Sequence, residues 1–188
     1  MIQCHLMSII HRKFLTLIFI ASTLWLPFAS SHAILTVGDK APNFTLPDQD
    51  SIAHTLSNYQ GQWVVLYFYP KDDSPGCTTQ ACDFRDAVDR IIDSKAVVFG
   101  LSVDSVESHN EFSNKFNLPF SLLADESGKV SKAYDSLRDF FVFKLSKRNT
   151  FIVDPSGNVV KIYLAVDPST HSQMVLDDLS SLQQSVAN

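Results

Sequence analysis

The chain has 188 residues, 45% of them apolar, and a formal net charge of −5. That composition supplies an ordinary buried core and excludes a disordered chain. An acidic balance with no long run of like charge argues against nucleic acid as a partner. The one basic cluster, Lys144 to Arg148, is short and reads as a solvated strand edge at Lys144 and Lys147.

The first 33 residues stand apart. His11, Arg12 and Lys13 precede an apolar stretch from Phe14 to Leu26, followed by Pro27 and by small residues ending Ser31-His32-Ala33. A positive start, a short apolar run and small residues before a cleavage point describe a secretory signal peptide, cut after Ala33 or Ser31. The run is shorter than the roughly 20 apolar residues that span a bilayer. The expectation is a signal peptide over residues 1–33, one domain over 34–188, and export to a periplasm or medium with no stable membrane insertion after cleavage. The alternative is a retained anchor over residues 14–28. Cleavage removes Cys4 and leaves Cys77 and Cys82. An even pair in an exported chain ordinarily forms a structural disulfide. Here the pair closes too small a loop to stabilise much.

Residues 34–62 are rich in Pro, Asp, Asn and Gly and read as an irregular lead-in with short strands. Trp63 to Tyr69 is a continuous β-branched and aromatic run stopped by Pro70, a strand buried on both faces. Lys71 to Gly76 is a turn-rich loop. From Pro75 to Ser94 the pattern turns helical, with Ala81, Phe84, Val88, Ile91 and Ile92 at three- and four-residue steps. Ala96 to Val103 is a second strand, Ser105 to Phe116 a helix, Phe120 to Leu123 a short strand, and Ser127 to Tyr134 a short helix. Asn149 to Val153 and Val159 to Val166 are strands joined by a hairpin turn at Asp154-Pro155-Ser156-Gly157-Asn158. Ser169 or Thr170 is placed to cap a last helix reaching about Gln184. This order predicts an α/β sandwich, a central mixed sheet flanked by helices.

The chemistry concentrates where the first long strand ends and Cys77 opens a helix. A helix N-terminus has unpaired N–H groups and the positive end of the helix dipole. A sulfur there is favoured as thiolate, the nucleophilic form, and the same donors can hold a developing anion. Gly76 permits close backbone approach and Pro75 suits a helix start. Asp72 and Asp73 oppose this if they face the sulfur; on a polar loop they are expected to face water. A nearby cation would help, and Arg148, at the start of the strand Asn149 to Val153, is the best candidate.

On these residues the chain resembles a known family. Pro70-x-x-x-Ser74-x-x-Cys77 is similar to the peroxiredoxin signature of Pro, then Thr or Ser, then Cys. Tyr67-Phe-Tyr-Pro-Lys and Pro75-Gly-Cys-Thr-x-Gln-Ala-Cys82 resemble the Q-type branch, also called bacterioferritin comigratory protein. Lys147 to Asp154 resembles that branch's arginine strand, and Leu122-Leu123-Ala124-Asp125 with the Phe112 helix resembles its middle. The likeness covers most of residues 35–184. It implies a thioredoxin-like fold and a thiol peroxidase that reduces hydrogen peroxide and organic hydroperoxides. Cys77 would be the peroxidatic cysteine and Cys82 the resolving one. Ser74, where threonine is usual, would hold the peroxide by its hydroxyl. Arg148 would stabilise thiolate and peroxide oxygens, and Pro70 would shield the pocket. The implied partner is a thioredoxin-like dithiol reductant, the implied state a monomer, and no metal or organic cofactor is implied.

Two rival functions remain at this level. An exported thioredoxin-like disulfide oxidoreductase would want Cys-x-x-Cys, whereas four residues separate Cys77 from Cys82. A peroxide-sensing redox protein would use the same sulfenic acid to oxidise a partner. A zinc site would need further ligands, and His54, His109 and His171 are scattered singly. His171 reads as a capping or surface histidine, and Glu107, Glu111 and Glu126 as solvated faces. If Cys77 and Cys82 share one helix, their Cα atoms lie roughly 8.6 Å apart, too far for a disulfide without unwinding.

Overall fold

A computed structural model of the chain describes residues 34–187. The expected signal peptide, its cleavage site and Cys4 lie outside the described residues. The lead-in contains two three-residue strands, β1 (Thr45–Pro47) and β2 (Ala53–Thr55), paired antiparallel and followed by a single 3-10 turn at Leu56–Tyr59. The rest runs β3 (Trp63–Phe68), α1 (Pro75–Asp93), β4 (Ala96–Ser102), α2 (Val106–Phe116), β5 (Ser121–Ala124) and α3 (Lys129–Ala133). Then follow β6 (Leu137–Phe140), β7 (Phe143–Ser146), β8 (Asn149–Val153), β9 (Val159–Leu164) and α4 (His171–Ala187).

Five strands form one sheet in the order β5-β4-β3-β8-β9. β3 is central, parallel to β4 and antiparallel to β8, and all six of its residues are buried. This is why its apolar run does not alternate with polar residues. One face of the sheet carries Val65, Tyr67, Ile152 and Tyr163 against α1 and α4, through Ala81, Phe84, Ile91, Val175 and Leu179. The other carries Val64, Leu66, Phe68, Phe99 and Phe151 against the lead-in and Tyr134. The mixed-sheet sandwich expected from the element order is the fold observed, and it has the thioredoxin-like form that the resemblance implies.

Three features differ from the sequence reading. The stretch 137–146 forms a separate hairpin, β6–β7, that no periodicity announced. The last helix takes its cap from elsewhere: the N–H of Ser172 donates to Asp83 Oδ2 of α1 at 2.7 Å, while Ser169 turns its hydroxyl to Asp167. And His171 is neither a cap nor a surface residue. It is fully buried between Phe84 and Tyr163, its ring edge-on to both.

Candidate active site

Tyr69 and Pro70 follow the C-terminal end of the central strand β3, and the loop then turns back so that α1 begins at Pro75. Proline at the first helical position lacks only an N–H that would have no partner there, so the sequence starts the helix at this residue. Cys77 falls in the first turn, buried, with its thiol free. Apolar residues at Cys77, Ala81, Phe84, Val88 and Ile91 turn the same helical face inward, which is what sinks the cysteine.

Arg148, immediately before β8, reaches across to it. Its Nη2 donates to Cys77 Sγ at 3.4 Å, and its Nη1 donates to Gln80 Oε1 at 2.5 Å. Nη1 also reaches the Gly76 carbonyl at 3.4 Å. The guanidinium is therefore held in a fixed plane with one edge on the sulfur, an arrangement an ammonium could not reproduce. Gly76 makes room for it: a Cβ at that position would stand 3.1 Å from Arg148 Nη2.

Ser74 occupies the N-cap position of α1 and is half-buried. Its Oγ donates to the Lys71 carbonyl at 3.0 Å, which closes the loop on itself. Contact with a peroxide therefore requires rotation about χ1, which serine, lacking threonine's methyl, permits. Pro70 is half-buried and lines a groove with Tyr134, Arg148 and Asn149. Cys82 sits on the same helix as Cys77, half-buried and free.

The expectation that Asp72 faces water is wrong. Asp72 is buried and accepts from Tyr69 OH at 2.7 Å, Ser108 Oγ at 2.8 Å and His109 Nδ1 at 2.8 Å. Its own N–H donates to Asp104 Oδ2 at 2.9 Å. The carboxyl group can be buried because three polar partners satisfy it. The network ties the loop before Cys77 to β4 and α2. Asp73 is exposed as expected, paired with Lys115 at 2.6 Å. Burial, and then the Asp72 carboxylate, pushes the Tyr69 hydroxyl far above its ordinary range, so it stays a donor.

Several residues of the site escaped the sequence reading. Gln80, fully buried, positions Arg148; its spacing of three from Cys77 on a helix was the available signal. Tyr67 and Thr150 are register partners, as are Thr150 and Tyr163, so the three share the sheet face under α1. Tyr67 OH, Thr150 Oγ1 and both His171 ring nitrogens are buried without a hydrogen-bond partner among the described residues. Burial, with a smaller contribution from Arg148, pushes His171 down to about 4, so the ring is neutral at pH 7. Among the described residues no group of three or more His, Cys, Asp or Glu is placed to hold a metal.

A thioredoxin-like sheet with a buried cysteine opening its first long helix, and a guanidinium on the sulfur, defines a cysteine-based peroxidase. Comparison with known proteins agrees. Residues 37–162 match the model of the AhpC/TSA family. Peroxiredoxin Bcp of Bacillus subtilis is 39% identical over 160 residues, covering 80% of this chain and 98% of that one. The chloroplastic peroxiredoxin Q of Oryza sativa subsp. japonica is 46% identical over 146 residues, covering 77% of this chain and 67% of that one. The crystal structure of a cysteine-to-serine mutant of PrxQ from Xylella fastidiosa superposes with a TM-score of 0.75 at 32% identity, covering 80% of this chain and 99% of that one. The chain belongs to the AhpC/TSA family and is a peroxiredoxin, a thiol peroxidase similar to the Bcp and Q proteins.

Proposed function

We propose that the chain reduces hydroperoxides through Cys77, with Cys82 completing the cycle as resolving cysteine. The observation that carries the assignment is the buried Cys77 Sγ with Arg148 Nη2 3.4 Å away. The Cys77 thiolate attacks one peroxide oxygen. The O–O bond breaks, the sulfur becomes a sulfenic acid, and the other oxygen leaves with a proton as water or an alcohol. Arg148 donates to the oxygens as charge moves onto them. The Cys82 thiol then attacks the sulfenic sulfur, forming a disulfide and releasing water. A thioredoxin-like dithiol protein returns the two electrons by exchange. In this reading Ser74 turns its hydroxyl onto the bound peroxide and Pro70 keeps bulk water off the pocket.

The family match favours this cycle over a disulfide oxidoreductase or a dedicated sensor. Export after removal of residues 1–33 and a monomeric state complete the proposal; the charged start and apolar run of the N-terminus support the first. Peroxide consumption by the protein with and without a dithiol reductant tests the reading. Consumption that continues only with reductant is expected. Failure to consume peroxide even with dithiothreitol would reject it. Mass spectrometry of the exported protein tests the N-terminus: an intact Met1 on membrane-free protein would reject cleavage.

A further inference from the structure

We propose that the β6–β7 hairpin docks this enzyme on an anionic lipid bilayer and so presents peroxidised phospholipid to Cys77. This rests on the peroxidase reading above and names a substrate class for that site. The hairpin tip is Phe140-Phe141-Val142-Phe143; Phe140 and Phe143 are about half exposed, Val142 largely and Phe141 fully. Single exposed apolar residues are ordinary, but a contiguous protruding cluster marks a contact with something apolar. The tip is also ordered, because Phe140 pairs with Phe143 across the hairpin and their rings stack at 4.7 Å.

Local folding does not ask for these residues. Two-residue hairpin turns favour Asn and Gly. Here Phe141 and Val142 make the turn, and neither has a positive φ. Polar residues would serve the turn at least as well, so the turn itself does not account for the apolar tip.

Charge identifies the partner. Residues 127–148 hold six of the chain's 15 basic residues and two of its 20 acidic ones, although the whole chain is net −5. Lys129, Lys132, Arg138 and Lys144 are all exposed; the exposed acids of this region are Glu126 and Asp139, which lie with Lys144 beside the tip, so the exposed charge still sums to net positive. An apolar tip inside a basic zone fits an anionic lipid surface, where apolar burial and charge attraction act together. A second copy of the chain fits worse, because a two-fold interface would set each basic zone against its own image.

The position serves the chemistry. β7 ends at Ser146, two residues before Arg148, which holds the Cys77 sulfur. A groove lined by Arg138 and Ser146 at the base of the hairpin, with Pro70, Ile162 and Leu164, runs as far as Arg148, whose guanidinium holds the sulfur. Leu164 is 69% exposed and gives an acyl chain an apolar wall. The reaction is the one already written: the thiolate takes one peroxide oxygen, the O–O bond breaks, and the lipid oxygen leaves with a proton as a lipid alcohol.

The test uses residues 34–188, because the full chain carries the apolar run at 14–26 that would bind lipid by itself. That span contains both faces of the core and corresponds to nearly the whole Bacillus relative, so it folds alone. Its binding to phosphatidylglycerol vesicles and to phosphatidylcholine vesicles is measured by co-sedimentation at low salt. Binding to the anionic vesicles is expected, weakened more than about tenfold by Phe141→Ser with Val142→Ser, with hydrogen peroxide consumption unchanged. Turnover of hydroperoxide carried in the anionic vesicles should fall in parallel. No binding to anionic vesicles, or equal binding by the double variant, would overturn docking. A lipid-free dimer that the double variant dissolves would also overturn it, in favour of a subunit interface. Loss of hydrogen peroxide consumption in the unaltered protein would count against the peroxidase reading alone, since vesicle binding is read without turnover.

Discussion

Cys77 and Cys82 lie five residues apart on one uninterrupted helix, α1, which runs from Pro75 to Asp93, and both are free thiols. Five residues of α-helix separate two Cα atoms by roughly 8.6 Å and turn their side chains about 140° apart. Disulfides need Cα atoms within about 7 Å and side chains that converge. A bond between these two sulfurs therefore requires the first turns of α1 to unwind. Hydrogen exchange over residues 75–84 should speed up on oxidation. Cys82→Ser should keep the first attack on peroxide and then stall at the sulfenic acid unless an external thiol rescues it. Equal protection of this segment in both redox states would mean that Cys82 is a packing residue.

Gly76→Ala separates geometry from stability. The new Cβ would meet Arg148 Nη2 at 3.1 Å, and that atom ends a flexible side chain, so the guanidinium moves and the helix does not. Alanine in a helix is favoured over glycine by about 0.5–1 kcal/mol. The variant should be as stable as the parent or slightly more so, yet attack peroxide several-fold more slowly. Arg148→Lys should slow attack about tenfold or more, because a lysine cannot bridge Gln80 and the sulfur with a planar fork. Stopped-flow peroxide rates with denaturation curves check both. Unchanged rates would reduce Arg148 to a strand-end charge.

His171 makes stability depend on pH. Its folded-state value is pushed down to about 4 from an ordinary 6.5. Between those limits the unfolded chain takes up the proton and the folded chain does not. Stability is therefore complete above about pH 6.5 and is lost as pH falls toward 4, by on the order of 3 kcal/mol. His171→Phe should remove that dependence and cost little at pH 7.5, since both ring nitrogens lack partners and Phe84 and Tyr163 receive an apolar ring equally well. Urea denaturation at pH 7.5 and pH 5 checks it; the same acid sensitivity in the variant would place its source elsewhere.

Asp72 anchors the loop that leads to Cys77. Asp72→Ala leaves Tyr69 OH, Ser108 Oγ and His109 Nδ1 without their common acceptor. It should destabilise the fold by about 2–4 kcal/mol and slow peroxide attack as the loop loosens. A stable variant with full activity would show that the network is dispensable.

The sheet and the long helices were legible because their signals are local. The apolar run of β3, the repeat of α1 and the turn between β8 and β9 each carry their own pattern, and Cys77 at the start of α1 follows from Pro75-Gly76. Arg148 was legible as a candidate cation at a strand start, but its contact was implied only by resemblance, since nothing local ties it to a sulfur 71 positions earlier. Asp72 misled because loop composition says nothing of a histidine 37 positions away that folds back onto it. His171 was misread for the same reason: its burial depends on Phe84 and Tyr163, neither of them a sequence neighbour. The β6–β7 hairpin was missed because its turn lacks glycine, proline and asparagine, the residues by which turns are recognised.

One peroxide should oxidise Cys77, and Cys82 should resolve it. This is tested most directly by adding one equivalent of hydrogen peroxide to residues 34–188, counting free thiols and mapping the peptides. Both thiols should be lost and a peptide pair joined through Cys77 and Cys82 should appear, with no thiol lost in Cys77→Ser. Two intact thiols in the parent, or oxidation of Cys82 at the parent rate in Cys77→Ser, would contradict this.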